Sequence, residues 1–423
     1  MNAPAPRLHV FTSAAVNYLP KVRALCRSIR EHHPEAMIHL ALSDERPAWL
    51  TAQGEPFDSI VEIPQLGIPN WRAWTFVHSI VELSTAIKPF VLKHLLERED
   101  CGSVLYFDPD MVLFSRVDDI VGSLAAANVV LTPHQTKPER TLANVIDNEI
   151  TSLRVGVFNL GFIGVRNTAE GKSFAQWWAD RCYEFCRAEI AHGLFTDQKW
   201  INFAPIFFEG VTILKSPRLN VATWNLTTRR MEGSMAAGFR VDGEPLAFYH
   251  FTGFDSGAHR IMAIKNASGQ PAVQELIAWY ERETEPERDD PVVTTPWAYG
   301  RFADGAKIEP HHRWLYRERR DLQAAFADPY EVHPTRLTFL EWCRTEGRIR
   351  YPEYFAQGAE AVYAPPPTHS GVSPTMALHL IVLMFAPQKG KALRQRLLQM
   401  LRREGVAGVL RRLRRPPPRE GEA

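Results

Sequence analysis

The loop that follows the first apolar run of this chain has no glycine-rich phosphate cradle. It matches neither G-x-G-x-x-G nor G-x-x-x-x-G-K-[ST], so the dinucleotide fingerprint and the P-loop are both excluded. Cysteine is scarce: Cys26, Cys101, Cys182, Cys186 and Cys343 are the five in 423 residues. They are odd in number and scattered, with no C-x-x-C and no Cys/His zinc spacing. That excludes a disulfide framework and a structural zinc, and it predicts reduced thiols in a cytoplasmic setting. Cys182 and Cys186, one helical turn apart beside Trp177, Trp178 and Phe185, read as core packing. Long hydrophobic runs are absent too. The longest, Leu380 to Ala386, is too short to span a bilayer. Met1 to Arg7 is Pro/Ala-rich and runs straight into a strand, so no signal peptide is expected. No internal repeat is visible.

What is present fits an ordinary globular protein. The length suggests roughly two to three domains. Apolar and charged fractions are 45% and 23%. The formal net charge of +1 conceals an asymmetry, because the stretch from Gln388 to Ala423 holds eleven Lys/Arg against three Glu. The tail is strongly basic and the body mildly acidic.

Leu8 to Thr12 reads as a buried strand and is followed by a helix from Tyr18 or Leu19 to His32. Met37 to Leu42 and Ser59 to Ile63 read as two further strands. This alternation predicts a parallel, doubly wound sheet with helices on its faces. Trp71 to Glu99 reads as helical with a break before Pro89. Strands are expected again at Val129 to Thr132, Phe158 to Val165 and Ala247 to Gly253. Lys172 to Ile190 reads as an amphipathic helix and Leu214 to Asn225 as extended. Glu281 to Asp290, charged, reads as a boundary.

The central strand, Val104 to Leu113, carries Asp108 and Asp110 on either side of Pro109. Open α/β sheets bind their ligands at such strand ends. Two hard oxygen donors so placed suit a divalent cation that keeps positions free for diphosphate oxygens. Asp-Pro-Asp is also ordinary turn chemistry, and the stretch alone leaves both readings open.

Taken together, several spaced elements resemble the family 8 glycosyltransferases. They are Phe11-Thr12 with Asn17-Tyr18, Tyr106-Phe107-Asp108-Pro109-Asp110, Phe158-Asn159-Leu160-Gly161, Asp197-Gln198 with Asn202, Leu219-Asn220, and His250-Phe251-Thr252-Gly253. The match covers roughly residues 8 to 256. The resemblance implies an α/β fold of GT-A type, a doubly wound mixed sheet flanked by helices, here with a mainly helical C-terminal extension. It implies transfer of a sugar from a nucleotide-sugar donor to a glycan or lipid-linked acceptor, with retention of anomeric configuration. Asp108, Asp110 and His250 would hold Mn²⁺ or Mg²⁺. Thr12, Asn17, Tyr18, Lys88 and Gly253 would meet the donor, and Asn159, Asp197 and Gln198 would line the sugar, Gln198 on the reacting face.

Each residue also has a structural reading. Asn17 would equally cap the helix behind it, Lys88 would equally be a surface lysine, and Asp197 would equally sit in a helix first turn. The chain departs from the family after Gly253, where members often carry Lys-Pro-Trp on the diphosphate. Here Phe254-Asp255-Ser256-Gly257-Ala258-His259-Arg260 follows, and His259 or Arg260 is left to supply that cation.

The expected organisation is a catalytic domain over 1–262, an aromatic and Arg-rich helical module over 291–358, a Pro-rich linker at 364–374 and a basic amphipathic tail over 375–423. The module, with Gly300-Arg301-Phe302 and Asp328-Pro329-Tyr330, resembles one seen in bacterial polysaccharide-assembly transferases. In the tail, Leu393, Leu397, Met400 and Leu401 form an apolar stripe among arginines. That pattern suits an anionic membrane surface and a place at its cytoplasmic face, and equally a solvated, disordered tail. Nucleic acid is not expected, since no aromatics interleave the arginines. Three other readings remain: an inverting enzyme with Asp255 as base, a nucleotidyltransferase on a similar sheet, which the missing Gly-rich, basic first loop disfavours, and a non-catalytic nucleotide-sugar or glycan-binding protein.

Overall fold

The computed structural model describes residues 6 to 355; the linker expected at 364–374 and the basic tail at 375–423 lie outside the described residues. Two compact units are present. The first comprises the residues up to Ile308 with Phe326–Leu340, and the second Glu309–Ala325 with the described residues from Glu341 onward.

The first unit is built on a seven-stranded mixed sheet flanked by helices. Its strands are β1 (Arg7–Ala14), β2 (Met37–Leu42), β3 (Ser59–Glu62), β4 (Cys101–Phe107), β6 (Val129–Pro133), β7 (Phe158–Arg166) and β8 (Val211–Ile213), in the order β3-β2-β1-β4-β7-β6-β8. β3, β2, β1 and β4 run parallel. β7 is inserted antiparallel between β4 and β6. The alternation of strands and helices therefore predicts the first half of the sheet and not the second, where connections no longer carry one helix each.

Strands covered on both faces are buried on each, and β1, β4 and β7 are buried along most of their length. Val10, Leu25, Ile38, Leu40, Leu105, Phe107 and Phe162 share one core, which also takes in Phe248. Two histidines are buried on β1 and β2: His9 and His39 stack with ring centroids 5.1 Å apart, and Nδ1 of His9 lies 2.9 Å from Nε2 of His39.

A short ribbon leaves the end of β4. β5 (Met111–Leu113) pairs antiparallel with β12 (Phe248–His250), and the register sets His250 opposite Met111. The ribbon is held by a second core of Val112, Val221, Tyr249, Phe251, Leu276 and Tyr280. Phe251 and Tyr280 stack face to face at 3.7 Å. A three-stranded sheet of β9 (Met231–Ser234), β10 (Gly238–Val241) and β11 (Glu244–Pro245) completes the unit.

Two segments differ from their sequence pattern. The helix expected from Lys172 to Ile190 spans Ala169–Phe185, because the chain turns at Cys186 to make the Arg187–Thr196 bridge. Leu214 to Asn225 is mostly turns rather than extended. Pro217 removes a ladder donor there, and Asn220 adopts φ +49°.

The second unit is helical. Pro310–Glu318 begins with a capping box between Glu309 and His312, and its Leu315 and Tyr316 are buried. A π-turn at Cys343–Gly347 and short helices Arg348–Arg350 and Pro352–Phe355 follow. Among the described residues no helix is long and apolar enough to cross a membrane.

Burial lowers the pKa of His39 to about 3. A group whose folded pKa is depressed stabilises the native state above its unfolded pKa, and that stability is lost as pH falls from about 6.5 toward 3. Between pH 7 and pH 5, His39 should account for about 2 kcal/mol of lost stability. Urea melts at the two pH values, on the protein and on His39→Asn, measure this; an equal loss in both would show that His39 is not its source.

Candidate active site

The site gathers where β4 ends and the β5–β12 ribbon begins. Asp108 closes β4, its backbone N–H donating to Gly161 O at 2.7 Å, and the N–H of Met111 turns back to Asp108 O at 3.0 Å. The tight turn through Pro109 leaves the Asp108 and Asp110 carboxylates on the same side. β12 then delivers His250. Its N–H donates to Val221 O, and the next N–H, of Phe251, to Asp110 O, both at 2.8 Å. Nε2 of His250 lies 3.1 Å from Asp110 and 3.9 Å from Asp108.

One ligand atom from each of Asp108, Asp110 and His250 lies within 4.8 Å of the others. Two carboxylates and an imidazole are a donor set for Mn²⁺, and for Mg²⁺ with fewer protein ligands. Burial opposes charge on both Asp110 and His250, yet each holds the other in its charged form. The Asp110 carboxyl falls below its ordinary range and the His250 imidazole rises above its own.

The His250 ring is positioned by packing. Its Nδ1 is buried without a hydrogen-bond partner, and the edge of Trp224 meets the ring at 5.2 Å. Gly161 supplies the room. A Cβ there would stand 2.6 Å from His250 Cε1, 2.5 Å from Met111 Cε and 2.8 Å from Asn159 Oδ1. The unusual glycine within an apolar strand is thus a close approach of the site to β7.

Behind the carboxylates lies Lys88, which is 2% exposed and far from the surface lysine its sequence context also allowed. It opens the helix Lys88–Leu96. Nζ meets Asp108 at 3.1 Å, Asp197 at 3.3 Å and Leu160 O at 3.2 Å, one acceptor for each of its three N–H bonds. It also lies 4.5 Å from the Tyr106 ring centre, and the Tyr106 hydroxyl donates to Asp108. Burial works against the ammonium and the two carboxylates overcome it, so its pKa is raised. Asp197, 1% exposed, is raised by burial while Lys88 pulls it back.

Asp197 does not sit in an α-helical first turn. It precedes a 3₁₀ segment, Gln198–Phe203, and follows Thr196 at φ +45°. A β-branched residue in the left-handed region is strained and persists only where its surroundings enforce it. Here Thr196 N–H donates to Arg187 O at 2.8 Å.

Asn159 and Gln198 belong to a closed amide network. Gln198 Oε1 accepts from Leu160 N–H at 3.0 Å and its Nε2 donates to Val155 O at 3.0 Å. Asn159 Oδ1 accepts from Asn220 Nδ2 at 3.0 Å and from Gly161 N–H at 3.2 Å. Asn159 Nδ2 lies 3.2 Å from His134 Nε2. Burial lowers the His134 pKa to about 4, so it is neutral and accepts.

In front of the carboxylates a groove of about 200 Å³ is lined by Ser13, Asn17, Tyr18, Thr85, Lys88 and Asp110, among others. Asn17 and Tyr18 face it. No side-chain hydrogen bond caps the helix Leu19–His32, so Asn17 does not serve there. The Tyr18 hydroxyl donates to Asp255, which also pairs with Lys21 at 2.5 Å, and Lys21 covers one face of the Tyr18 ring. Thr12 is buried in β1 with its hydroxyl unpartnered, and Gly253 turns the chain at φ +69°; neither lines the groove.

His259 and Arg260 do not replace a diphosphate clamp. His259 is buried against Thr252 O and the Tyr249 hydroxyl, and burial lowers its pKa to about 4. Arg260 pairs with Glu281 at 2.8 Å. His134 and Trp224 were missed in the sequence. The signal for His134 was its place directly after the buried β6, the same strand-end rule that singles out Asp108.

No family model matches the chain. Two proteins of Bacillus subtilis (strain 168) are similar in sequence. Uncharacterized protein YfnD is 27% identical over 251 residues, spanning 58% of this chain and 78% of its own length. Uncharacterized protein YfnF is 26% identical over 176 residues, spanning 41% and 57%. Among solved structures, galactosyltransferase LgtC with donor and acceptor sugar analogues overlaps at 16% identity, 62% of this chain, 96% of that one and a TM-score of 0.36. Glycosyltransferase GlyE of Streptococcus pneumoniae TIGR4 overlaps at 16% identity, 51% of this chain, 47% of that one and a TM-score of 0.33. The overlaps are partial, and the site itself carries the functional reading.

Lys88→Met should destabilise the fold by about 3–5 kcal/mol in a urea melt, because Asp197 is left buried and uncompensated. A loss under about 1 kcal/mol, the range of a surface pair, would disprove the saturated arrangement. Gly161→Ala should weaken Mn²⁺ binding by about tenfold or more in calorimetry, and unchanged affinity would mean that the His250 ring is not a ligand.

Proposed function

We propose that the chain is a metal-dependent glycosyltransferase of GT-A type that moves a sugar from a nucleotide-sugar donor to a glycan or lipid-linked acceptor, retaining its anomeric configuration. The observation that carries this reading is the Asp108–Asp110–His250 cluster at the mouth of a groove lined by Asn17, Tyr18 and Thr85. A bound Mn²⁺ or Mg²⁺ would supply charge neutralisation for the departing nucleoside diphosphate.

The protein's own groups would do the rest. Asn17 meets polar edges of the base or ribose, and Tyr18 offers the base the ring face that Lys21 leaves open. Lys88 holds Asp108 and Asp197 in place through its ammonium, acting as a positioning residue. Asp197 and Asn159 hold sugar hydroxyls. Gln198 stands on the reacting face; its Oε1 accepts from Leu160 N–H and from Asn159 Nδ2, and one amide N–H is left for a ligand. An amide is a poor nucleophile, which favours a front-face route. In that route the acceptor oxygen bonds to the anomeric carbon as its bond to the diphosphate oxygen breaks, and the acceptor proton passes to that departing oxygen. The amide steadies the cationic centre electrostatically. The inverting alternative needs a free base, whereas Asp255 is already engaged by Tyr18 and Lys21. We further propose that the module over 291–358 handles the acceptor and that the tail over 375–423 meets an anionic membrane surface at the cytoplasmic face.

Thermal shifts with UDP-, GDP-, ADP- and dTDP-sugars, with and without Mn²⁺, test the reading. One nucleotide should stabilise only with metal, by about 2.7 kcal/mol at roughly a hundred times Kd. Asp110→Ala should erase that shift while folding normally. No shift with any donor, in folded protein, would leave a non-catalytic glycan-binding role.

A further inference from the structure

A second and larger cleft, of about 850 Å³, opens along continuations of the segments that build the metal site. One wall is Lys137 to Arg140, a few residues beyond His134. The other is Leu226 to Arg230, just beyond Trp224 and Asn225, and the loop Asn266 to Gln270 closes the end. We infer that this cleft binds a negatively charged group, carboxylate or phosphate, on the acceptor glycan; the inference rests on the glycosyltransferase reading.

Charge is the first argument. Lys137, Arg140, Arg229 and Arg230 line the cleft against Glu139 and Asp242. Both acids are already occupied. Glu139 accepts from Asn148 at 2.6 Å and from Thr227 at 2.5 Å. Asp242 accepts from the Lys137 ammonium at 3.0 Å and from the backbone N–H of Arg230 at 2.8 Å. Arg140 is exposed and has no ion pair among the described residues. The Arg230 side chain is 79% exposed and among the described residues pairs with Glu232 alone, at 2.7 Å. Lys137 is paired with Asp242 and Arg230 with Glu232, while Glu139 is held by neutral donors, so Arg140 and Arg229 are the cations left against one carboxylate and the balance is cationic.

Arg229 is the second argument. It is 3% exposed, and its Nε is buried without a partner. Its Nη1 donates to Pro217 O at 2.9 Å and to Leu219 O at 2.7 Å. Leu219 adjoins Asn220, which holds Asn159, so the floor of the cleft is tied to the sugar-lining network. Gln270 stiffens the same floor, accepting from Met231 N–H at 2.6 Å and donating to Leu226 O at 3.1 Å.

Composition is the third. Among the described residues no aromatic side chain lines the cleft. A neutral sugar or an unpaired base has no ring to stack on, so recognition falls to charge-assisted hydrogen bonds, which arginine makes best.

The test uses the full chain and four probes: galacturonate oligomers, phosphorylated mannose oligomers and neutral malto-oligomers of matched length, and a single-stranded RNA. Calorimetry should show binding of one anionic series, which names the group, with the neutral series at least about tenfold weaker. Arg140→Gln with Arg230→Gln, both on exposed side chains, should remove that preference. The nucleotide-sugar shift with Mn²⁺ should persist in this variant, since it reads the other site. Equal binding of neutral and anionic oligomers, no binding of either anionic series, equal binding of a single-stranded RNA, or an unchanged preference in the double variant would each overturn the inference. Loss of the nucleotide-sugar shift from the unmodified chain would instead overturn the glycosyltransferase reading.

Discussion

A single buried ammonium organises the site. Lys88 ties together three points far apart in sequence: Asp108 at the end of β4, Leu160 in β7 and Asp197 on the strained segment after Thr196. Without it, two carboxylates would face one another in a low-dielectric interior, where the like-charge penalty is severe. With it, each N–H bond has its acceptor. The cost of burying the ammonium is met by geometry rather than by solvent, which is the condition under which buried ion pairs persist.

The remaining pieces are held by backbone register and by close packing. The pairing of β5 with β12 brings His250 to Asp110, and only a glycine at 161 lets the imidazole approach β7 so nearly. The amides of Asn159, Gln198 and Asn220 bond mainly to backbone and to one another, so their orientations are set before any ligand arrives. Such preorganisation is what electrostatic stabilisation of a developing charge requires. The groove in front is built differently. Asn17 is exposed and Tyr18 half-buried on a loop, where a ligand's shape is accommodated rather than imposed.

Much of this was legible in the residues. The apolar runs that end in Asp108 and His250 declare buried strands with polar ends, and the glycine of Phe158-Asn159-Leu160-Gly161 announces a close approach. The helix Leu19–His32 begins and ends where its apolar spacing says. Other parts were not legible. Lys88 sits in an apolar helix opening that gives no sign of whether it faces solvent or a carboxylate pair. His134 is one polar residue after a strand. The turns between Leu214 and Asn225 replace an apparently extended run, because a proline and a left-handed asparagine act through local geometry that period-two patterns do not register.

The sequence by itself determined the chemistry on offer: two carboxylates and an imidazole at strand ends, amides nearby, and no glycine-rich phosphate loop. It determined the α/β class as well, because continuous apolar strands alternating with amphipathic helices have few other ways to bury themselves. Only the tertiary structure decided which of those groups meet. β7 enters the sheet antiparallel, β12 folds back on β5, and the charges of Lys88, Asp108 and Asp197 converge from segments separated by up to 109 positions. That convergence depends on long-range pairing and close packing, and neither leaves a local mark in a single sequence.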